Sequence, residues 1–251
     1  MRLFWILLVV SVFGSSMVVP SADAATRLTA QERYDLGQRY LKRGYYTKAL
    51  EQFNRIRNDY RSDPLALRAE LGVADVFFAQ SEWDQARLSY QDFQRLHPKY
   101  EDSDYVVYRI GLCLWRKAPK IASRDQTATR QAVDIWVGFD RRYPESEWLS
   151  EVESHLVEGR ARLAKKELVI GRFYERRRAW RAVRGRIEGM LRQYPDSPDR
   201  AEALYLLGQA YTHLGDAEGA KDCLQRLEEL GGEQLGTRAV VERFVVRTDI
   251  Q

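Results

Sequence analysis

The feature that most constrains this chain is a repeat with a period of 37 residues. In each repeat a small residue is followed three positions later by a large apolar or aromatic one, and these pairs recur at spacings of 37, 37, 60 and 37 residues. A period in this range is typical of arrays in which each unit buries its apolar face only against its neighbours. The small residues are Gly37, Ala74, Gly111, Gly171 and Gly208.

A second small position and a large one complete each repeat. Small residues at two fixed positions allow paired helices to approach closely, and large residues fill the space between neighbouring pairs. No sustained alternation of apolar and polar residues indicates strands. The second positions are Ala49, Ala86, Ala132 (displaced by an insertion), Val183 and Ala220, and the large residues four positions later are Phe53, Tyr90, Trp136, Ile187 and Leu224.

The pattern resembles the tetratricopeptide repeat, here three residues longer than the usual period of about 34 residues. The resemblance covers nearly all of the chain after residue 24. It implies an all-α fold, a right-handed superhelix of about five helix pairs. An apolar stripe at Val240, Val241, Phe244 and Val245 predicts a C-terminal closing helix that covers the open end of the stack.

The repeat divides the chain into three predicted parts. Residues 1–24 form a signal peptide, residues 25–146 hold repeats one to three, and residues 147–251 hold repeats four and five with the closing helix. A loop insertion is predicted at about 117–127, inside the third repeat. Residues 147–251 are expected to be continuous with residues 25–146, because the pattern from Glu147 to Glu175 predicts one long helix that joins the two sets of repeats.

The N-terminus has the pattern of a secretory signal. Arg2 precedes an apolar run from Leu3 to Phe13, and the small-residue triplet 22–24 reads Ala-Asp-Ala. The run is too short to cross a bilayer, so cleavage after Ala24 is preferred over a retained N-terminal anchor. A lipid anchor would require a cysteine directly after the signal, whereas the first cysteine is Cys113. Export without a lipid anchor is therefore expected, with any membrane association indirect.

Composition argues against several other classes of function. The 40 Lys and Arg nearly balance the 36 Asp and Glu, so nucleic acid is not an expected partner. Two cysteines and three scattered histidines provide neither a disulfide framework nor metal-ligand spacing. No nucleophile–base set or glycine-rich phosphate loop appears. The chain is therefore predicted to be non-catalytic, with no cofactor and no metal site.

Four segments resemble a particular family. They are Asp102 to Leu112, Arg124 to Trp148, Leu163 to Arg177 and Ala179 to Pro198. Together they are similar to the BamD (ComL) family, the D subunit of the outer-membrane β-barrel assembly machinery. The resemblance implies a periplasmic scaffold at the inner face of the outer membrane. Its partners would be the periplasmic domains of the barrel-forming assembly subunit and unfolded outer-membrane protein segments.

Other functions fit a repeat fold less well. A tetratricopeptide adaptor of the Tol system, or of a peptidoglycan-linked scaffold, is the main alternative. Such adaptors carry a coiled-coil segment before their repeats, and here only a few residues separate Ala24 from the first repeat. An enzyme with appended repeats would need a further domain, for which the repeats leave no room.

The tetratricopeptide resemblance also predicts a peptide-binding groove lined by the first helix of each pair. Lys42, Arg68 and Arg116 are expected to hold the terminal carboxylate of an extended segment, while aromatic faces stack on its side chains. The alternative is that the aromatic residues pack between repeats and the cations are solvated. The predicted substrate-peptide groove consists of Tyr34, Gln38, Lys42, Arg68, Asp75, Phe78, Tyr108, Trp115 and Arg116.

A second site is implied by the family resemblance. It places a partner-contacting arginine at Arg186, with Glu188 and Arg192 beside it in the same segment. A planar guanidinium suits a two-pronged contact with a carboxylate, which a lysine would not reproduce. The alternative is an ordinary exposed arginine on a helix surface.

Overall fold

The computed structural model describes residues 28–231, and over that range the chain consists of helices joined by turns. The all-α prediction is therefore confirmed for this range. The predicted signal peptide and the predicted closing helix lie outside it. The helices are α1 (Ala30–Lys42), α2 (Tyr46–Asp59), α3 (Leu65–Ala79), α4 (Trp83–Leu96), α5 (Ser103–Lys117), α6 (Thr127–Trp136), α7 (Phe139–Arg142), α8 (Leu149–Arg176), α9 (Trp180–Gln193), α10 (Arg200–Leu214) and α11 (Ala217–Gly231).

Local sequence determines where the first helix begins. The Thr29 hydroxyl accepts from the backbone N–H of Glu32 at 3.2 Å, and the Glu32 carboxylate accepts from the backbone N–H of Thr29 at 2.8 Å. This reciprocal capping box satisfies two donors that the helix itself leaves unpaired. Because these bonds favour the charged form of the carboxylate, the backbone bond most of all, the pKa of Glu32 is lowered.

The predicted small and large residues meet in the core of the first, third and fourth pairs, whereas Leu224 of the fifth pair is only half-buried. A methyl group added to Gly37 would lie 2.7 Å from the Phe53 ring, and one added to Gly171 would lie 2.6 Å from Ile187. Such separations are below van der Waals contact, so a larger residue would force the helices apart. The first helix of each of these pairs therefore packs directly on the large residue of the second.

Consecutive helices pack against each other from α1 to α6 and from α8 to α11, and α1 also touches α3 as α8 touches α10. The long helix α8 has 28 residues and spans about 42 Å. It contacts α6, α9 and α10, so it links the third pair to the fourth and fifth. The handedness of the stack stays a prediction.

The loop between α5 and α6 is held by one buried side chain. Gln126 is 1% exposed, and its amide donates to the backbone carbonyls of Pro119 and Ile121 at 3.2 and 2.9 Å. Its side-chain oxygen accepts from the Thr129 hydroxyl at 2.5 Å. The extra residues of the third pair thus form an ordered loop.

Cys113 and Cys223 are free and buried, and burial raises the pKa of each thiol to about 12. Both side chains lie in core clusters, where they act as small apolar residues. Within residues 28–231, no helix combines the length and the apolar character needed to cross a bilayer.

The close packing makes a stability prediction. A methyl group at Gly111 would overlap the indole of Trp136, so Gly111→Ala is expected to lower the free energy of unfolding by about 1–3 kcal/mol. Gly185→Ala is the matched control, because this helical glycine has open space around it. It should raise the stability by about 0.5–1 kcal/mol. Urea unfolding followed by circular dichroism measures both, and equal effects would contradict the packing rule.

Candidate functional site

A groove of about 460 Å³ opens between the first three helix pairs and the turn before α8. We call it the N-terminal groove. Helices α1, α3 and α5 each contribute side chains to it, and the turns before α5 and α8 complete its rim. Its lining consists of Tyr34, Arg68, Leu71, Asp75, Tyr100, Asp102, Asp104, Tyr105, Glu147 and Trp148.

The base of the groove is a hydrogen-bonded carboxylate. One oxygen of Asp75 accepts from the Tyr105 hydroxyl at 2.5 Å, from Arg109 at 3.1 Å and from the Tyr90 hydroxyl. Burial, followed by the nearby Asp75 charge, raises the pKa of Tyr90 and of Tyr105 well above the usual value. Both hydroxyls therefore stay protonated and act as donors at neutral pH.

Arg109 completes this network from α5. Its Nε donates to the Tyr90 hydroxyl at 2.9 Å, and its guanidinium lies 3.8 Å from the centre of the Phe78 ring. The rings of Tyr90 and Tyr105 are 5.6 and 5.5 Å away. The cation is thus paired with a carboxylate and surrounded by aromatic faces, an arrangement that stabilises a partly buried charge.

The rim of the groove carries more carboxylates than cations. Asp104 accepts from the Ser146 hydroxyl at 2.6 Å, and Asp102 and Glu147 are exposed beside it. Burial, followed by the charge of Asp102, raises the pKa of Tyr100 to about 12.

A second cleft of about 730 Å³ adjoins the N-terminal groove and shares Arg68 and Tyr100 with it. We call it the proline cleft, because Pro64 and Pro98 form part of its wall. Its lining includes the cations Arg68 and Lys99, the Glu101 carboxylate and the His97 ring, and Leu65 and Leu67 add apolar surface. Sequence reasoning did not identify this cleft, because the turns that form it are about one repeat apart in the chain.

The structure brings together five of the nine predicted groove residues. Tyr34, Arg68 and Asp75 line the N-terminal groove, and Gln38 donates to the Tyr34 hydroxyl at 3.2 Å. Phe78 lies beneath the guanidinium of Arg109.

Two of the predicted cations lie elsewhere. Lys42 is exposed at the end of α1, eight residues or about 12 Å along the helix from Tyr34. Arg116 is exposed near the end of α5, eleven residues or about 16 Å from Tyr105. The three cations therefore do not surround one pocket, and only Arg68 lines the groove.

The remaining two aromatic residues have packing contacts. Tyr108 is 4% exposed and stacks on Trp148, with ring centres 4.7 Å apart and planes 9° apart. Trp115 packs on Trp136 and on the His155 ring. These two side chains therefore pack between repeats, as the alternative interpretation of the sequence expected.

Arg109 and Trp148 were missed as site residues. Arg109 follows Asp75 by almost one repeat, and a charge pair at that spacing is the signal that could have found it. Trp148 reaches the groove only because the turn between α7 and α8 brings it back to α5. No local sequence pattern predicts this contact.

The predicted partner residues lie on α9 but do not form one face. Arg186 is exposed, and its guanidinium is 3.2 Å from the Glu167 carboxylate on α8. Glu188 points to the other neighbour, where it accepts from the Tyr211 hydroxyl of α10 at 2.7 Å. Arg192 is exposed in the last turn of the helix. The outer surface of α9 is open at Gly185, where an added methyl group would meet no atom of another residue within 4 Å.

Within the described part of the chain, no group of three or more His, Cys, Asp or Glu side chains is arranged to hold a metal ion. The chemistry that the N-terminal groove offers is recognition, through aromatic faces, carboxylates and one arginine.

A stack of helix pairs that leaves an aromatic and charged groove open defines a helical-repeat binding protein of the tetratricopeptide type. More particularly, the chain belongs to the YfiO family of outer membrane lipoproteins, whose family model matches residues 26–227. The match covers all five helix pairs almost completely.

Several curated relatives carry the name outer membrane protein assembly factor BamD. The protein from Xylella fastidiosa (strain Temecula1) is 29% identical over 217 residues, which cover 81% of this chain and 73% of the relative. The Pasteurella multocida protein is 28% identical over 73% of this chain and 74% of its own length. The Neisseria gonorrhoeae protein is 26% identical over 83% of each.

Among solved structures, the TPR2AB domain of yeast Sti1 in its pHSP90 complex is similar with a TM-score of 0.44 and 13% identity. The similarity covers 87% of this chain and 84% of that one. The tetratricopeptide protein TTC0263 of Thermus thermophilus is similar with a TM-score of 0.36 and 17% identity, over 87% of this chain and 100% of that one.

The Asp75 network makes a second stability prediction. Asp75→Asn would leave the Arg109 guanidinium without its carboxylate, so we expect a loss of about 2–3 kcal/mol in the free energy of unfolding. Glu51→Gln removes the carboxylate of an exposed ion pair with Arg55 and should cost less than about 0.5 kcal/mol. Chemical unfolding of both variants tests the difference, and a similar small cost for each would show that the network contributes little.

Proposed function

We propose that the chain is a non-catalytic scaffold subunit of the machinery that assembles β-barrel proteins into the outer membrane. The observation that carries this proposal is the family match over residues 26–227, which spans almost the entire helical stack. The relatives share the name of an outer membrane protein assembly factor, and this favours the assembly role over a Tol or peptidoglycan-linked adaptor. The protein acts in the periplasm, at the inner face of the outer membrane.

The N-terminal groove is the proposed site for unfolded outer-membrane protein segments. Its four aromatic side chains can stack on the side chains of an extended segment, and the Tyr34 hydroxyl and the Trp148 indole can bond to its backbone. The adjoining proline cleft places Arg68, His97 and Lys99 beside apolar surface. A segment that ends in an apolar residue could place its terminal carboxylate there.

The outer surface of α9 is the proposed contact for the periplasmic domains of the barrel subunit. Arg186 and Arg192 are exposed on it, and the open positions at Gly185 and Gly189 let another backbone approach closely. Glu188 supports the surface indirectly, because its bond to Tyr211 fixes α9 against α10.

Charge reversal tests the partner contact. We expect Arg186→Glu to weaken binding to the barrel subunit at least about tenfold, because a carboxylate would replace the donor of an interface ion pair. Co-purification from detergent-solubilised envelopes and titration with the purified periplasmic domains measure the change. Circular dichroism should show unchanged helicity.

Two controls separate the partner contact from the ion pair within the chain. The double variant Arg186→Glu with Glu167→Arg restores a pair between α8 and α9 and should still bind weakly. Arg181→Glu makes the same charge change at another exposed position of α9 and should bind normally. Recovery of Tol components instead of the barrel subunit would favour the alternative function.

Replacement of the three predicted cations tests the groove. The triple variant of Lys42, Arg68 and Arg116 to Ala should bind a peptide from a barrel C-terminus about fivefold more weakly. Arg68→Ala alone should account for most of this loss, because it is the member of the three that lines the groove. The same peptide with an amidated C-terminus is the control and should respond little. Unchanged affinity of the triple variant would remove the role of these cations.

A further inference from the structure

We infer that the N-terminal groove contains a subsite for a cationic side chain, arginine or lysine, of an extended bound segment. The subsite lies between the aromatic walls and the carboxylates of Asp102 and Glu147. The inference rests on the proposed role of the groove in binding such segments, and it specifies the chemistry of the segment.

The first support is the charge of the groove. The carboxylate of Asp75 is already paired with Arg109, so it does not determine the charge that a ligand meets. Asp102, Asp104 and Glu147 then face the single lining cation Arg68, which leaves two negative charges in excess. The side chain of Arg68 is itself 3.7 Å from the Glu101 carboxylate, which further reduces its positive field. An uncompensated field of this sign favours a cationic group and disfavours an acidic one.

The second support is the set of aromatic walls. Tyr34, Tyr100, Tyr105 and Trp148 line the same cavity as these carboxylates. Trp148 is held in place because it stacks on Tyr108 at 4.7 Å and contacts Tyr105 at 5.6 Å. A cation near the faces of such rings is attracted by their negative charge density, and the attraction is largest where water is partly excluded. Rings that are fixed before binding lose little conformational freedom when they bind.

The base of the groove already shows this mode of recognition within the chain. The guanidinium of Arg109 lies 3.8 Å from the Phe78 ring, bonds to the Asp75 carboxylate at 3.1 Å and is flanked by two tyrosine rings. The proposed subsite has the same kinds of components, aromatic rings and carboxylates that line one cavity. An incoming arginine would therefore meet aromatic rings and carboxylates, the same kinds of groups that surround Arg109.

The position of Arg68 gives the groove two electrically different ends. Arg68 lies where the groove meets the proline cleft, whose other charged lining residues are Lys99 and Glu101. Glu147 belongs to the other rim, in the turn before α8. A segment whose carboxylate lies in the proline cleft would therefore carry its cationic side chain towards α8, which fixes its direction of binding.

The test uses the full chain and short fluorescein-labelled synthetic peptides that alternate Tyr and Ser. They differ at one central position, which holds Arg, its neutral isostere citrulline, or Glu. Fluorescence anisotropy should show that the Arg peptide binds about tenfold more tightly than the citrulline peptide, with the Glu peptide weakest. Added salt should reduce this preference, because part of it is a screened charge interaction.

A matched pair of variants locates the subsite. Asp102→Asn with Glu147→Gln should reduce the preference for Arg over citrulline to about twofold. Asp140→Asn with Glu145→Gln makes the same net charge change at exposed positions outside the lining and should leave the preference intact. Helicity and unfolding midpoints of both variants confirm that the comparison is between folded proteins.

The outcomes separate the inference from the proposed function. Equal binding of the three peptides, with affinity still lost in Arg68→Ala, would overturn the cationic subsite and leave the groove function standing. An Arg preference that persists without Asp102 and Glu147 would also overturn it. Failure of every peptide to bind would contradict the proposed role of the groove in binding extended segments, and it would overturn the subsite as well.

Discussion

The contact of a large side chain with a glycine or alanine on the neighbouring helix is the interaction on which the whole structure depends. Where Phe53 meets Gly37, or Ile187 meets Gly171, the two helices approach to a distance that any larger residue would prevent. Each pair then presents a similar surface to the next, so the stack can continue. The helices of the first pairs have nearly equal lengths, so their ends lie at similar levels. The turns that connect them therefore lie together and form the rims of the groove.

The second constraint is polar, and it connects the fold to the proposed function. Asp75, Tyr90 and Arg109 belong to α3, α4 and α5, so their hydrogen bonds join two helix pairs. A buried network of this kind is favourable only when every member is satisfied. It holds Tyr105, one of the aromatic side chains that line the groove, in position. It also neutralises Asp75, so the charge available to a ligand comes from the rim.

The two proposed binding surfaces are held at a set distance by α8. Its first half packs against the third helix pair and its second half against α9 and α10, and Val133 and Leu168 belong to one core cluster. Since a helix of this length bends little, a segment bound in the N-terminal groove and a partner on α9 would keep a defined separation. The structure therefore suits a scaffold that holds two partners in a fixed arrangement.

The sequence by itself determined the helical class, the number of repeats within the described range and the residues at the close contacts, because these follow from a period that every unit repeats. It also identified Tyr34, Arg68 and Asp75, which face the groove as their positions in the repeat indicate. Tertiary structure decided the rest. Tyr108 occupies a lining position, yet the turn that returns Trp148 to α5 covers it, and Lys42 and Arg116 lie about two and three helical turns from the lining residues Tyr34 and Tyr105. A periodic pattern specifies the face of a helix on which a side chain lies, whereas its depth and its partners depend on how the connecting turns direct the neighbouring helices.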